Sequence, residues 1–484
     1  MAEHHQKYIP TIGLEVHAQL NTESKIFAPD ATAFGQDPNT QISVVSLAHP
    51  GTLPKLNRAV VEKAMRMGIA CGSKISPIQI FDRKNYFYPD LPKGYQITQD
   101  HTPICVGGEV PIRTEAGERT VKLNRIHLEE DAGKSIHADG EPDTRVDFNR
   151  AGVPLIEIVT EPVIDSAEEA AAFMAQIRRL VRFLDVCDGN MEEGSLRCDA
   201  NISIRPVGQE KLGAKVEVKN MNSLRHVARA VNYEIARQSA LLDAGEPIIS
   251  ETRTYNVQQN KTYGMRTKEE LNDYRYFPDP DLSPLVISDS WLQEVKSAMP
   301  ELPWALEQRL QSEYNLPAMD AGVLTDTKAM ADFFLAMVDQ GAKAKAASNW
   351  LMGPVKGYLN DQGTEIENFP LRPEQLADLI RLVEAGTVGH TVAAQQLFPL
   401  LLQQPSQTAE ALAKAEGLVQ TKDSGAIETA IEEVLATFPE KIKAYQKGKK
   451  GLLGMFMGEV MKRTQGKADP QLTKQLLQDK LDKK

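Results

Sequence analysis

Residues 196–204 read LRCDANISI, a stretch in which apolar and polar side chains alternate with a period of two. This period is typical of a β-strand with one buried face, and it puts Arg197, Asp199 and Asn201 together on the polar face. In the next alternating stretch, Val216 and Val218 lie on one side and charged residues on the other. A glycine-containing connection, residues 206–213, separates the two stretches. The sequence therefore predicts an antiparallel hairpin.

The same alternation occurs near the start of the chain, where residues 12–20 read IGLEVHAQL. Glu15 and His17 lie on the polar side of this predicted strand. A helix is predicted between the two strand regions, because Ser166 and Glu169 have the spacing of a capping box. Its apolar stripe has helical spacing and consists of Phe173, Ile177, Leu180, Val181 and Leu184. The first part of the chain is therefore predicted to be mixed α and β, with a largely antiparallel sheet that has one polar face.

The length and composition indicate a globular protein of several domains. At roughly 150 residues per domain, the 484 residues suggest about three domains. The composition is 42% hydrophobic and 25% charged with a mean hydropathy of −0.35, which excludes global disorder. No apolar run approaches the ~18 residues that span a bilayer, and the start of the sequence has no hydrophobic signal region. The four cysteines form no CxxC pair, so we expect a cytoplasmic protein without a disulfide framework.

Two composition changes divide the chain into three predicted regions. The proline-rich residues 276–284 are typical of a boundary or a long ordered loop. After them, apolar residues recur at three and four positions, as in Met330, Phe333 and Phe334. A second break is expected at residues 403–406. We therefore predict domains at residues 1–292, 293–405 and 406–484, of which the last two are all helical.

The charge is distributed unevenly along the chain. Residues 441–484 contain 12 Lys and Arg against 4 Asp and Glu, so this tail carries +8 while the whole chain carries −11. A basic tail on an acidic body is expected when one end of a protein contacts phosphate. An apolar stripe with helical spacing runs through this tail, so one face is expected to pack while the other contacts a phosphate backbone; it consists of Leu452, Leu453, Phe456 and Val460. A solvated lysine-rich helix is the alternative.

Carboxylates on the polar sheet face are candidate metal ligands. Glu15 and His17 project side by side from one strand, Glu129 and Glu130 follow His127, and Glu157 interrupts an apolar strand. A buried, unpaired carboxylate is costly, so Glu157 needs a cation or a strong donor. Carboxylates from several strands suit Mg²⁺, which prefers oxygen ligands. A solvated charged face and a charged turn remain the alternatives for the Glu15 and Glu129 groups.

The common nucleotide-binding motifs are absent from the sequence. Residues 133–135 resemble the end of a P-loop, but Leu128 stands where its first glycine should be, and no GxGxxG or kinase motif is present. The basic residues that could neutralise the charge of a phosphate are Arg83, Lys84, Lys134 and Arg197. No serine nucleophile elbow or glycine- and serine-rich amidase loop occurs, so if glutamine is hydrolysed to deliver ammonia, another chain must do it.

Several sequence blocks together resemble the B subunit of the aspartyl/glutamyl-tRNA amidotransferases. They are IGLEVHAQL (12–20), HPGTLP (49–54), FDRKNYFYPDLPKGYQ (81–96), LEEDAGK (128–134), DFNRAGVP (147–154), GSLRCDAN (194–201), GLLGMFMGEVMKR (451–463) and GKAD (466–469). The resemblance spans essentially the whole chain, and it is specific because it depends on many blocks at once.

The resemblance implies an α+β cradle domain, similar to glutamine synthetase and the guanido kinases, at residues 1–292. A helical domain and a helical, tRNA-binding tail of the YqeY type follow it. The implied reaction uses ATP and Mg²⁺ to amidate misacylated Asp-tRNA(Asn) or Glu-tRNA(Gln) through an acyl phosphate. The implied partners are the A subunit, an amidase that acts as the glutaminase, and the small C subunit, in a heterotrimer.

The residue roles are carried over from the same resemblance. The implied metal ligands are Glu15, His17, Glu129, Glu130 and Glu157, and all of these except Glu129 are also expected to be catalytic. The candidates for contacts with the phosphates or the tRNA 3′ end are Arg83, Lys84, Lys134 and Arg197.

Two other function classes remain open at this point. A non-catalytic tRNA-binding adaptor would explain the basic tail but gives no reason for Glu157 in an apolar strand. A metallohydrolase acting on phosphoesters would use the same carboxylates, but it would not need the aminoacyl group.

Overall fold

A computed structural model describes residues 7–137, 143–267, 274–420, 424–464 and 466–482. The chain forms two compact units, Met1–Pro303 and Trp304–Lys484. The first unit contains the sheet and the second is helical, so the predicted fold class, α+β followed by all-α regions, is confirmed. Within the described residues, no helix is both long and apolar enough to cross a membrane.

The first unit contains the strands and four helices of the described chain. The strands are β1 (Tyr8–Gln19), β2 (Lys74–Ile75), β3 (Ile78–Gln79), β4 (Asp82–Asn85), β5 (Tyr95–Thr98), β6 (Cys105–Val106), β7 (Glu109–Thr114), β8 (Gly117–Glu130), β9 (Lys134–His137), β10 (Thr144–Asp147), β11 (Pro154–Thr160), β12 (Leu196–Pro206), β13 (Val216–Met221), β14 (Glu251–Asn256), β15 (Lys261–Thr267), β16 (Phe277–Pro278) and β17 (Leu285–Val286). The helices are α1 (Arg58–Ala70), α2 (Ala167–Phe183), α3 (Leu224–Asp243) and α4 (Asp289–Ser297).

A large sheet has the strand order β15-β14-β13-β12-β1-β11-β8-β5-β4-β16. Its neighbours pair antiparallel, apart from the parallel pair β13 and β14. The central strand β1 lies between β11 and β12, and its residues Leu14 and Val16 are fully buried. Helices α2 and α3 pack against each other, and they contact β1 and β12, respectively. On the opposite, polar face, side chains of β1 and β12 line a cavity.

The local predictions for this unit agree with the structure. The hairpin is the pair β12 and β13, in which Asn201 lies opposite Glu217. Ser166 caps α2 by accepting a hydrogen bond from the backbone N–H of Glu169, and the predicted apolar stripe is buried. One prediction was incomplete, because residues 276–284 do not form only a loop. Phe277 and Pro278 form the edge strand β16 beside β4, an edge being a position that tolerates proline in a sheet.

The second unit is built from helices. They are α5 (Pro303–Ser312), α6 (Ala318–Leu324), α7 (Lys328–Asp339), α8 (Ala344–Trp350), α9 (Lys356–Gln362), α10 (Pro373–Glu384), α11 (His390–Val392), α12 (Phe398–Gln403), α13 (Ala409–Ala415), α14 (Ser424–Thr437), α15 (Pro439–Gln446), α16 (Leu452–Arg463) and α17 (Pro470–Asp482). In the tail, Phe456 and Val460 of α16 are fully buried in a core shared with α14 and α17, and Leu452 and Leu453 are partly buried against it. The tail stripe therefore packs as predicted.

Candidate active site

The strand register brings distant polar residues into one row across the sheet. His17 of β1 lies opposite Glu157 of β11, and Glu157 lies opposite His127 of β8. On the other side of β1, Arg197 of β12 lies opposite His17. Side chains directly opposite each other in an antiparallel pair lie close together on the same face. Four segments of the chain therefore contribute to one polar surface.

One group on this surface, the histidine cluster, consists of His17, Glu129 and Glu157. One ligand atom from each of them lies within 4.8 Å of the others. His17 Nε2 lies 3.4 Å from Glu129 Oε1 and 3.7 Å from Glu157 Oε2. The structure thus brings together three of the five residues that the sequence suggested as metal ligands.

His127 supports this cluster from the side of β8. Its Nε2 lies 3.0 Å from Glu157 Oε2, and the residue is only 3% exposed. Burial acts to raise the pKa of Glu157, but the adjacent His127, together with His17 and Lys84, holds this pKa below its usual value. His127 was not among the predicted site residues, although its two-residue spacing from Glu129 places both side chains on one face of the strand.

A second group, the carboxylate cluster, consists of Glu15, Asp199 and Glu217, whose carboxylate oxygens lie within 4.8 Å of one another. Lys219 Nζ contacts Asp199 Oδ2 at 2.5 Å and Glu217 Oε1 at 2.8 Å. Glu15 Oε1 instead accepts a hydrogen bond of 2.8 Å from Asn201 Nδ2. Glu15 was predicted as a ligand. Asp199 was predicted only to lie on the polar face, and Glu217 is one of the charged residues opposite Val216 and Val218, which were given no role.

The pKa directions within the carboxylate cluster differ. Burial and the charge of Glu157 raise the pKa of Glu15, although the Asn201 hydrogen bond opposes them. Burial also acts to raise the pKa of Glu217, but Lys219 lowers it below its ordinary value. In turn, burial acts against the charge on Lys219, while Asp199 and Glu217 raise the pKa of its ammonium group. Lys219 therefore neutralises one side of the cluster, whereas Glu15 forms no ion pair with any residue that the structure describes.

Glu130 lies on the other side of the sheet from Glu129, because neighbouring residues of a strand point in opposite directions. Its Oε1 accepts a hydrogen bond of 2.8 Å from the backbone N–H of Ile97 and also contacts Lys93. Glu130 lines a small cavity of about 130 Å³ together with Lys25 and Lys93. The structure therefore does not bring Glu130 into either cluster.

The four predicted phosphate-binding cations occupy different environments. Arg83 is bound by Asp279 at 2.7 Å and Asp281 at 2.8 Å, and its guanidinium lies 4.2 Å from the centre of the Tyr95 ring. Lys134 is exposed on β9, opposite Asp147 of β10. Neither residue is brought to the two clusters.

Lys84 and Arg197 do lie at the site, where they line one cavity together with His17 and Glu129 of the histidine cluster and Asp199 of the carboxylate cluster. Burial opposes the charge on Lys84, but Glu129 and three nearby tyrosines raise its pKa. Arg197 Nη2 donates to Asp131 Oδ2 at 2.8 Å, and the charge of Asp131 raises the pKa of Arg197. Both side chains therefore bring positive charge to the cavity at neutral pH.

The cavity on the polar face has a volume of about 530 Å³ and is lined by His17, Glu129, Asp199 and Lys219, among others. The carboxylate cluster offers oxygen donors, which fit a hard cation. The histidine cluster offers two carboxylates that do the same, together with an imidazole, a ligand that transition-metal ions prefer. Asn201 Oδ1, beside Glu15, is buried and has no hydrogen-bond partner among the residues that the structure describes. Acidic residues for cations and basic residues for anions thus line one cavity, an arrangement that suits phosphate chemistry.

Comparison with known proteins relates both parts of the chain to one protein family. A family model described as the GatB/GatE catalytic domain matches residues 10–293, and one described as the GatB domain matches residues 332–481. The chain is 50% identical over 476 residues to the aspartyl/glutamyl-tRNA(Asn/Gln) amidotransferase B subunit of Alkalilimnicola ehrlichii, and the match covers 97% of this chain and 98% of the relative. The proteins of the same name from Burkholderia cenocepacia and Burkholderia multivorans are also 50% identical, over 483 and 482 residues, with the same coverage of both chains.

Proposed function

Because this chain belongs to the family of the aspartyl/glutamyl-tRNA(Asn/Gln) amidotransferase B subunits, we propose that it carries out the ATP-dependent amidation of misacylated tRNA. The substrates are Asp-tRNA(Asn), Glu-tRNA(Gln) or both, and the reaction takes place in the cytoplasm. The observation that carries the proposal is a cavity lined by residues of both clusters of candidate cation ligands and by three basic side chains. The cluster residues are His17, Glu129 and Asp199, and the basic ones are Lys84, Lys219 and Arg197.

The reaction has two steps. The side-chain carboxylate of the misacylated residue attacks the γ-phosphorus of ATP, the bond to the β–γ bridging oxygen breaks, and ADP leaves. Ammonia then attacks the carbonyl carbon of the acyl phosphate, loses a proton and expels inorganic phosphate, so that the amide remains. Phosphoryl transfer of this kind depends on positioning and charge neutralisation, so no protein nucleophile is needed.

The residues of the two clusters would hold Mg²⁺, which supplies charge neutralisation at the phosphate oxygens. His17, Glu129 and Glu157 form one candidate set and Glu15, Asp199 and Glu217 the other. Lys84 and Arg197 contribute fixed positive charge towards the transferred phosphate. Glu130, Arg83 and Lys134 are left out of this proposal, because their side chains make contacts elsewhere or are exposed to solvent.

The ammonia comes from a partner in this proposal. The sequence has no serine nucleophile in an amidase context, so we expect a separate glutaminase to supply the ammonia. The family resemblance implies that this glutaminase is the A subunit and that the small C subunit completes a heterotrimer. Free ammonium should replace glutamine for the isolated chain. Glutamine-dependent amidation by this chain alone would contradict the assignment.

The decisive experiment measures ATP hydrolysis by the purified complex with ammonium as the nitrogen donor. Asp-tRNA(Asn) and Glu-tRNA(Gln) are compared with the same tRNAs without an amino acid. The ligase proposal predicts ADP formation only with the misacylated tRNAs, in amounts matched by the amide. Hydrolysis of ATP or of other phosphoesters without the aminoacyl group would favour a metallohydrolase. Full turnover when this chain is present only as a Glu157→Gln variant would favour the adaptor.

The tail is proposed to bind the outer corner of the tRNA. Its helices bury one apolar face in a core that they share with α14, while many of its lysines, such as Lys447 and Lys449, are exposed. Phosphate contacts weaken with salt because bound counterions are released. Deleting residues 441–484 should therefore raise the KM for tRNA and flatten its salt dependence, while turnover at saturating tRNA survives. An unchanged KM at both low and high salt would show that the tail only packs or solubilises.

A further inference from the structure

Lys219 occupies the position of a cation within the carboxylate cluster. Its ammonium group contacts Asp199 at 2.5 Å and Glu217 at 2.8 Å, so it bridges two of the three carboxylates. Asp199 lies opposite Glu15 in the register of β1 and β12, and Glu217 lies on the next strand, β13. The ammonium thus lies where a divalent ion shared by these strands would bind.

One ammonium group does not balance this cluster. Three carboxylates surround it, and Lys219 pairs with only two of them; within the described part of the chain, no ion pair to Glu15 occurs. A divalent ion would bring twice the charge and would also reach the third carboxylate.

A buried ion pair elsewhere in the same unit provides a contrast. Glu234 of α3 is fully buried, but its two oxygens accept hydrogen bonds from Arg237 and from the hydroxyl of Thr262. Both oxygens are satisfied, and guanidinium groups donate in a fixed geometry. The carboxylate cluster differs because it has a surplus carboxylate, and because its cation is a lysine with a flexible four-carbon stem.

A metal ion and Lys219 compete for the same oxygens. Mg²⁺ binds carboxylate oxygens at about 2.0–2.1 Å and requires a nearly octahedral shell, so Asp199 and Glu217 cannot serve both cations through the same atoms. Lys219 also lines the cavity of about 530 Å³. Its ammonium group can therefore turn into the cavity without a movement of the strand.

We propose that Lys219 is a tethered cation that holds the carboxylate cluster together until a divalent ion displaces it, and that the displaced ammonium then faces an anionic phosphate in the cavity. The displacement itself depends only on the geometry of the cluster. The nature of the phosphate, the γ-phosphate of a nucleotide, rests on the proposed function. The two parts can therefore fail separately.

The displacement is tested by Mn²⁺ binding to the full-length protein after removal of divalent ions, with free Mn²⁺ measured by electron paramagnetic resonance. A tethered competitor acts at a high effective concentration, so Lys219→Met should tighten Mn²⁺ binding at one site about tenfold. Adding Asp199→Asn to this variant should abolish the gain, which assigns it to the carboxylate cluster.

Lys215→Met is the matched control for this titration. Lys215 precedes Glu217 by two residues and Lys219 by four, and it is exposed. Its charge is the weakest of the causes that act on the pKa values of Glu15 and Glu217. The substitution therefore removes the same formal charge as Lys219→Met but no ion pair with the cluster, and salt screens exposed charges. We expect less than a twofold change at about 0.15 M salt. An equal effect of both variants, or unchanged or weaker binding in Lys219→Met, would overturn the displacement.

A second measurement needs no substitution, so it remains decisive if a variant fails to fold. Trace acetylation of lysines in the wild-type protein, read by mass spectrometry, reports how accessible each amine is. Mg²⁺ should increase the acetylation of Lys219 several-fold but leave that of Lys215 unchanged. A non-hydrolysable ATP analogue added with Mg²⁺ should then lower it again. No increase with Mg²⁺ would refute the displacement, and an increase that the analogue does not reverse would refute the phosphate contact.

Discussion

The two clusters on the polar face share the strand β1 but balance their charges differently. In the histidine cluster, Glu157 lies 3.0 Å from His127 and 3.7 Å from His17, and its pKa is held below the usual value although burial opposes this. In the carboxylate cluster, Lys219 pairs with Asp199 and Glu217, while the pKa of Glu15 is raised by burial and by Glu157.

This difference predicts that the two clusters bind a metal ion in different ways. An imidazole can bind a metal ion itself, as His17 is placed to do, or can orient a carboxylate that binds it, as His127 is placed to do. A lysine ammonium cannot bind a metal ion, so it must leave before the ion can bind. We therefore expect the histidine cluster to be ready for an ion, and the carboxylate cluster to exchange one cation for another.

The largest expected effect comes from removing the charge at the centre of the histidine cluster. Glu157→Gln keeps the volume and an acceptor for His127 but removes a negative ligand, so the developing phosphoryl charge loses its counter-ion. Misacylated-tRNA-dependent ATP hydrolysis should fall at least about 10³-fold with an unchanged circular dichroism spectrum. Glu118→Gln, in an exposed ion pair with Arg113, is the control and should be fully active. Near-normal turnover of Glu157→Gln at saturating Mg²⁺ would remove Glu157 from the site.

A smaller effect is expected when one ligand of the carboxylate cluster is neutralised. Asp199→Asn removes a candidate ligand and one of the two partners of Lys219. Mn²⁺ binding at one of two sites should weaken by about 100-fold, while the other site keeps its affinity. A parallel loss at both sites would mean that the two clusters act as a single site, and the comparison between them would fail.

The support that His127 gives to Glu157 is tested by His127→Asn, a substitution that keeps a donor but shortens its reach. Loss of an outer hydrogen-bond partner typically costs about 10- to 100-fold in metal affinity. We expect Mn²⁺ binding at the histidine cluster to weaken by about tenfold, and binding at the carboxylate cluster to stay unchanged. If His127→Asn binds Mn²⁺ like the wild type, His127 does not position Glu157.

The smallest effects concern the titration of the two glutamates in the metal-free protein. The pKa of Glu15 is raised and that of Glu157 is lowered relative to 4.5. As the pH falls from neutral, Glu15 should therefore take up a proton first, while Glu157 stays ionised below its ordinary pKa of 4.5. Carbon-13 shifts of the side-chain carboxyls, assigned with the Gln variants, measure both values.

The electrostatic link between the two clusters gives a further check on these titrations. The charge of Glu157 is one cause of the raised pKa of Glu15, so Glu157→Gln should lower the pKa of Glu15. An identical midpoint for Glu15 and Glu157 in the wild type, or a pKa of Glu15 that does not respond to Glu157→Gln, would contradict the assigned environments.

Much of the architecture could be predicted from the sequence because it depends on local patterns. Alternation with a period of two gave the buried and polar faces of β1, β12 and β13, and Ser166 marked the start of α2. The apolar stripe of α16 indicated its packing in the tail. These features depend on residues a few positions apart, whose relative directions are set by the geometry of a strand or a helix. The sequence blocks likewise indicated the family to which the chain belongs.

Only the tertiary structure decided which candidates meet. Hydrogen-bond register between distant strands put His17 opposite Glu157 and Glu15 opposite Asp199, and so divided one predicted set of ligands between two clusters. The same register brought His127 to Glu157. Arg83 is bound by Asp279, which follows it by 196 positions and arrives with the edge strand β16. No local period encodes these contacts, because strand pairing depends on how the whole sheet packs and on the buried faces that fix each register.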